Sequence, residues 1–158
     1  MGRNPNKVMF LFNVRFTLVP QNMTMDTGFC TWFEDYFLDA DSEYAFFSKR
    51  AIRSIKNNIP ESILLNSEYV FSQHGEKLMV PVKKRFKTIG YEKEYRGLHD
   101  VLHFLKQKYS HLHYFTPYSN DPFCKAMDQV YGTDYYHIDE WKDTALFMKR
   151  ILWDRQNA

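Results

Sequence analysis

Residues 87–132 read KTIGYEKEYRGLHDVLHFLKQKYSHLHYFTPYSNDPFCKAMDQVYG, and the pattern of this stretch decides the predicted fold. Apolar residues first recur at helical spacing, at Leu98, Val101, Leu102, Leu105 and Tyr109. A short apolar run, Leu112–Thr116, then predicts a buried strand. A second helical pattern covers residues 122–131, with Asp121 as its N-cap. Strand, helix, strand and helix in this order predict parallel strands joined by a right-handed crossover.

Upstream of this stretch the sequence predicts four strands and two helices. The strands are Lys7–Val19, Ser62–Ser72, Lys77–Val82 and Phe86–Glu92, and the helices are Phe29–Phe37 and Glu43–Lys56. The first strand is the clearest, because six apolar residues alternate along it: Val8, Phe10, Phe12, Val14, Phe16 and Leu18. The apolar phase shifts between Phe86 and Ile89, which predicts a β-bulge.

Downstream, Asp134–Ile138 is predicted to be a strand, and the last element, Thr144–Leu152, fits helical and alternating patterns equally. The residues predicted to be buried are Phe10, Phe12, Trp32, Phe33, Leu102, Leu105, Ala126 and Val130. No internal repeat or low-complexity segment interrupts these elements.

Composition predicts one globular domain over residues 1–158, since 44% of the residues are hydrophobic and 25% are charged. Aromatic residues make up 18%, which predicts a core built largely from rings. The net charge of +2 is too small to indicate nucleic-acid binding by itself.

Cysteine use and hydropathy predict a cytoplasmic protein without membrane contact. Cys30 and Cys124 lie in apolar surroundings on predicted helices, which is typical of buried thiols in a reducing compartment. The first apolar run, residues 8–12, is too short for a signal peptide or a membrane span. A protein packaged in a virus particle would have the same features.

The motif Tyr95-Arg96-Gly97, followed by an amphipathic helix, a strand and Asn120-Asp121-Pro122-Phe123, resembles the core of the GNAT acetyltransferase superfamily. The resemblance is strongest over residues 89–132. It implies an α+β fold with a strongly twisted mixed sheet and about four helices, in the order β-α-α-β-β-β-α-β-α-β-β. That order makes Thr144–Leu152 the last strand. It also implies that the strands Phe86–Glu92 and Leu112–Thr116 splay apart around a coenzyme cleft.

The resemblance further implies an acyl-coenzyme A-dependent transfer to an amine or a protein acceptor. In the family, an Arg-Gly-rich loop opens a helix and holds the pyrophosphate of acetyl coenzyme A. The residues implied to bind the coenzyme are Tyr91, Lys93, Arg96, Gly97, Leu98, His99, Asp100, Val101 and Asn120. Glu92 is implied as the general base, with a solvent-facing edge carboxylate as its alternative role, and Tyr131 as the general acid.

Departures from the family pattern support a second hypothesis, a catalytically inactive GNAT-like module that binds protein partners. His99 and Val101 stand where the family has small residues, and Met127 stands where many members have a proton-donating tyrosine. Asp100 adds a negative charge near the place of the phosphates. The composition also resembles that of GNAT-like proteins of tailed bacteriophages, some of which are packaged in virions.

Two other features have simple interpretations and one weaker functional alternative. Histidines recur at His99 and His103 on a helix and at His111 and His113 on a strand, where hydrogen bonding to solvent or neighbours is expected and no metal site is predicted. The basic run 83–87 is expected to be a solvated turn; the alternative is a nucleic-acid-binding α+β protein.

Overall fold

The computed structural model describes residues 4–19, 24–38, 42–73, 77–82, 85–91, 98–117 and 133–157. The strands in these residues are β1 Asn4–Asn13, β2 Ser42–Phe47, β3 Tyr69–Ser72, β4 Lys77–Val82, β5 Arg85–Tyr91, β6 Tyr109–Thr116 and β7 Thr133–His137. The helices are α1 Val14–Thr17, α2 Thr27–Tyr36, α3 Ile52–Asn58, α4 Glu61–Leu65, α5 Leu98–Lys108 and α6 Trp141–Gln156.

All seven described strands form one mixed sheet in the order β5-β4-β3-β2-β1-β6-β7. The five strands from β3 to β7 in that order are parallel, and β4 and β5 extend the sheet as antiparallel strands. Phe10 of the central strand pairs with Tyr44 on one side and with His113 on the other. The predicted combination of helices with a mixed sheet is confirmed.

Helices cover both faces of the sheet, and an apolar cluster fills each gap. One cluster joins β1, β2 and β6 to α2, α3, α4 and α6, with Phe12, Phe33 and Met148 fully buried. The other joins the opposite sheet face to α5 through residues such as Leu102. Buried as predicted are Phe10, Phe12, Phe33, Leu102 and Leu105. Trp32 is only partly buried, and Ala126 and Val130 lie outside the described residues.

The predicted helix Glu43–Lys56 is wrong, because this segment contains strand β2 and the shorter helix α3. Ala45, Phe46 and Phe47 are all buried, since β2 lies between two strands and helices cover both of its faces. A strand buried on both faces loses the alternation that identifies strands in sequence. The apolar residues at the start of the predicted helix therefore belong to a strand that is buried on both faces.

Two strands were predicted too long. Strand β1 ends at Asn13, where the chain turns into α1 and Leu18 N–H donates to the Val14 carbonyl at 3.3 Å. Val14 and Leu18 are buried at a spacing that also suits a helical turn. The predicted strand Ser62–Ser72 begins instead with helix α4, and only its second half, β3, belongs to the sheet.

The predicted last strand is also wrong, because residues 144–152 belong to the helix α6. Thr144, Met148 and Ile151 are buried at a spacing of one and two helical turns. The predicted splayed pair is wrong as well, since β4, β3, β2 and β1 lie between β5 and β6.

The remaining predictions agree with the structure within a few residues. Helices α2 and α5 and strands β4, β5, β6 and β7 occur where the sequence patterns predicted them. The predicted bulge is present, because Leu78 pairs with Gly90 and Met79 with Thr88, which leaves Ile89 as an extra residue. The helix predicted over 122–131 lies outside the described residues. In the described part of the chain, no helix has the length and hydropathy needed to cross a bilayer.

Candidate functional site

The order of the parallel strands creates a switch point between β1 and β6. From β1 the chain adds β2 and β3 on one side, and it later returns to add β6 and β7 on the other side. Sheets wound in two directions in this way bind ligands in the crevice outside the carboxyl ends of the strands at the switch point. In this sheet the switch point lies between Asn13 and Thr116, the last residues of β1 and β6.

Buried polar side chains are concentrated at this carboxyl edge. Five of them lie at or just after the ends of four adjacent strands: Asn13, Thr17, Ser48, Ser72 and Thr116, each at most 8% exposed. The strand interiors between the two sheet edges are mostly apolar. A row of buried hydroxyl and amide groups at one edge therefore distinguishes this edge from the body of the sheet.

Hydrogen bonds hold the turn after β1 in place. The Asn13 side-chain amide donates to the Tyr114 hydroxyl at 3.4 Å, and the Asn13 carbonyl accepts from the Thr17 hydroxyl. The Thr17 carbonyl in turn accepts from the Thr144 hydroxyl, which belongs to α6. The end of β1 is thus fixed against β6 and against the last helix.

The loops after β2 and β3 are tied to each other. The Ser48 N–H donates to the Phe71 carbonyl at 2.9 Å, and the Ser48 hydroxyl accepts from the Arg50 N–H at 3.0 Å. Gln73, whose φ of 52° lies in the left-handed region, donates its N–H to the Arg50 carbonyl at 2.9 Å. The hydroxyl of Ser72 has no hydrogen-bond partner in the described residues, although Ser72 is fully buried.

Charge is distributed unevenly along the carboxyl edge. Arg15 follows β1, and Lys49 and Arg50 follow β2, so cations flank the switch point on that side. At the other end, His137 lies 3.4 Å from the Asp139 carboxylate and 3.1 Å from the Pro117 carbonyl. Next to β1 the edge therefore offers donors and positive charge.

The amino edge of the same sheet carries carboxylates. Lys7 Nζ lies 3.1 Å from Glu43 Oε2, and Glu43 is hydrogen-bonded to the side chains of Glu68 and Tyr109. Burial, followed by the neighbouring Glu43, raises the pKa of Glu68 to about 7. Lys7, Glu43 and Glu68 border a cavity of about 330 Å³, which Glu34 also lines.

A second polar cluster lies on β6 and β7, on the face that α6 covers. The His113 Nδ1 atom lies 2.8 Å from the Tyr136 hydroxyl, and His111 Nε2 lies 2.8 Å from Asp134 Oδ2. Burial, followed by repulsion from His111, lowers the pKa of His113 to about 3, and burial raises the pKa of Tyr136 above its ordinary value. The sequence singled out both histidines but contained no signal for the carboxylate on the neighbouring strand.

Few of the residues predicted to bind coenzyme or to catalyse transfer can be placed. Outside the described residues lie Glu92, Lys93, Arg96, Gly97, Asn120 and Tyr131. Tyr91 ends β5 at the edge of the sheet, and His99 lies in the first turn of α5. The side chains of Leu98 and Val101 are buried in the apolar cluster beneath α5, and Asp100 is half-buried.

Helix α5 begins on the side of the sheet where the carboxyl edge lies. The helix packs on β6 and is joined directly to its first residue, Tyr109, so it runs opposite to the strand and begins towards the strand's carboxyl end. The sequence did not identify Asn13, Ser48 or Ser72 as site residues. Their only signal was a polar residue at the end of each apolar run.

No family model matches the sequence, and no curated protein sequence matches it.

Proposed function

We propose that this protein binds a small phosphorylated ligand at the carboxyl edge of its sheet, next to the ends of β2, β1 and β6. The observation that carries the proposal is the row of buried polar side chains at the switch point, which consists of Asn13, Thr17, Ser48, Ser72 and Thr116. Doubly wound sheets place their ligands at this point.

The energetic cost of these groups supports a ligand. A buried hydroxyl or amide without full hydrogen bonding destabilises a fold by about 1–3 kcal/mol. Ser72 is such a group in the described part of the chain, and the hydrogen bond from the Asn13 amide to the Tyr114 hydroxyl is long, at 3.4 Å. A bound ligand that accepts or donates hydrogen bonds there would offset that cost.

The charges next to this row favour an anion. Arg15, Lys49 and Arg50 lie on the two loops that follow β1 and β2. Arginine binds phosphate through paired N–H groups, and lysine adds a point charge. Hydroxyl groups such as that of Ser48 complete a set of donors suited to phosphate oxygens.

The residue types favour binding over catalysis by this edge. Among the described residues, β1, β2, β3 and β6 end in an amide or a hydroxyl or are followed by one, and no carboxylate occupies these positions to act as nucleophile or base. His137, which ends the neighbouring strand β7, contacts Asp139 and the Pro117 carbonyl. This proposal therefore develops the hypothesis of an inactive binding module by assigning it a ligand class.

The second candidate is acyl transfer from acetyl coenzyme A, as the GNAT resemblance implies. One observation favours it: α5 begins on the carboxyl side of β6, where the predicted turn at Arg96 and Gly97 would place the coenzyme pyrophosphate. Coenzyme A is itself phosphorylated, so both candidates share a ligand chemistry. They differ in whether Glu92 and Tyr131 act on an amine acceptor.

The test is thermal unfolding of the purified chain with inorganic phosphate, a nucleoside monophosphate, a sugar phosphate and acetyl coenzyme A. A ligand present at one hundred times its Kd stabilises the native state by about 2.7 kcal/mol, which corresponds to roughly 5–10 °C in a chain of this size. We expect at least one phosphorylated probe to raise the Tm, and its dephosphorylated parent to have no effect.

The variant Arg50→Glu should remove the rise, whereas Arg150→Glu, the same charge change on an exposed residue of α6, should keep it. Equal loss in both variants, or no rise with any phosphorylated probe, would contradict the proposal. A rise with acetyl coenzyme A alone, followed by acetylation of an amine, would favour the second candidate.

A further inference from the structure

Two histidines and an aspartate come together on β6 and β7, away from the carboxyl edge. His111 and His113 are two residues apart on β6, so their side chains project from the same face of the sheet. Asp134 is the register partner of His113 on β7. One ligand atom from each of the three side chains lies within 4.8 Å of the others.

These three side chains are ordinary ligands for a transition metal. Imidazole nitrogen and carboxylate oxygen bind Zn²⁺ at about 2.0–2.2 Å, which places the ligand atoms of a tetrahedral site roughly 3.3 Å apart. Small rotations of the three side chains would therefore bring their ligand atoms from the observed separation to that of a metal site. His111 and Asp134 already approach to 2.8 Å, and their side chains are 36% and 58% exposed, so they have room to rotate and a path to solvent.

The third ligand is held more firmly. His113 is 6% exposed, and its ring lies 5.0 Å from that of Phe10. Its Nδ1 atom is hydrogen-bonded to the Tyr136 hydroxyl at 2.8 Å. Metal-bound histidines usually have such a partner on the second ring nitrogen, which orients the ring.

We propose that His111, His113 and Asp134 bind a divalent transition metal, with Zn²⁺ as the best match to two imidazoles and one carboxylate. Three protein ligands leave a fourth position for water or another small ligand. Arg155 of α6 is a positive charge that acts on His113, and its guanidinium donates a hydrogen bond to the Ser42 hydroxyl at 2.6 Å. The site does not depend on ligand binding at the carboxyl edge.

The experiment is a titration of the untagged full chain with Co²⁺, followed by absorbance, and with Zn²⁺, followed by calorimetry. We expect one metal ion per chain and the visible bands of four-coordinate Co²⁺. The variants His111→Ala and Asp134→Asn alter exposed side chains and should fold normally, and each should weaken binding by at least about tenfold.

Two matched variants serve as controls. His103→Ala removes an exposed histidine of α5, and His137→Ala removes the histidine next to Asp139. Both should bind Co²⁺ as the unmodified chain does. The proposal is overturned if Co²⁺ binding is absent, if a control loses as much affinity as His111→Ala, or if an intense cobalt–thiolate band shows that a cysteine is the ligand.

Discussion

Buried polar groups have different hydrogen-bond partners at the amino and carboxyl edges of the sheet. At the amino edge, Lys7, Glu43, Glu68 and Tyr109 satisfy one another through an ion pair and shared hydrogen bonds. At the carboxyl edge the buried groups are neutral, and the hydroxyl of Ser72 has no partner in the described residues. The comparison teaches that buried polarity alone does not indicate a ligand. The charged groups of the amino edge pair with one another, and there the Thr133 hydroxyl, like that of Ser72, has no partner in the described residues. The carboxyl edge differs because its buried groups are neutral and cations follow β1 and β2.

The largest expected effect comes from the core that both edges share. Phe33 is fully buried and its ring lies 5.3 Å from that of Phe12. Phe33→Ala should lower the free energy of unfolding by about 3–5 kcal/mol, because it leaves a cavity beneath the sheet. Chemical denaturation measures this loss. Leu146→Ala, at a residue that is 63% exposed, should change it little, and a similar loss in both would mean that Phe33 does not support the core.

Removing the cation at the amino edge should have the next largest effect. Lys7→Met leaves the carboxylates of Glu43 and Glu68 without their positive partner, so we expect a loss of about 1–2 kcal/mol above neutral pH. Denaturation of Lys49→Met, at an exposed lysine of the carboxyl edge, gives the comparison and should show less than about 0.5 kcal/mol. Equal losses at the two edges would remove the distinction between them.

The pH dependence of stability should report the amino edge specifically. Because the native pKa of Glu68 is raised to about 7, the native state retains a proton that the unfolded chain releases near the ordinary pKa of 4.5. Stability from this group is therefore greatest at low pH and is lost as the pH rises from about 4.5 to about 7.

Glu68→Gln should reduce that loss and raise the Tm above neutral pH. We expect a rise of only roughly 2–4 °C, because Glu68 is partly exposed and solvent screens its charge. The Tm at a series of pH values measures it. Glu61→Gln, on an exposed residue of α4, should leave the profile unchanged. A Glu68→Gln profile that matches that of the unmodified chain would show that Glu68 is ionised throughout this range.

The smallest expected effect is the difference in stability between serine substitutions at the two ends of β3. Ser67, just before the strand, donates to the Leu64 carbonyl at 2.6 Å, whereas Ser72 at the other end has no described partner. Ser67→Ala should cost about 1 kcal/mol, and Ser72→Ala should be neutral or stabilising by up to about 1 kcal/mol. Ser72→Ala should also reduce the Tm rise caused by a phosphorylated probe. A destabilising Ser72→Ala would mean that its hydroxyl is satisfied within the fold.

Sequence patterns identified the elements whose local period matches their environment. Helix α5 shows a clear amphipathic repeat, because one face packs on the sheet while His103 and Gln107 on the opposite face are exposed. Sequence patterns predicted the wrong element where a strand is buried on both faces, as in β2. They also failed where the apolar residues fit both helical and alternating spacing, as in α6. The proposed metal site was likewise predictable only in part. The sequence singled out the two histidines of β6 but gave no signal for their aspartate partner on β7.

The sequence by itself determined one mixed fold with a ring-rich core, the positions of α2, α5 and β6, and the bulge at Ile89. Composition and the spacing of apolar residues within each segment are sufficient to predict these features. Only the tertiary structure decided the strand order, and with it the switch point that brings Asn13 beside Thr116 and Asp134 beside His111. Pairing between distant strands is selected by the packing of the whole sheet, because local propensity contains no information about which strand becomes the neighbour of which.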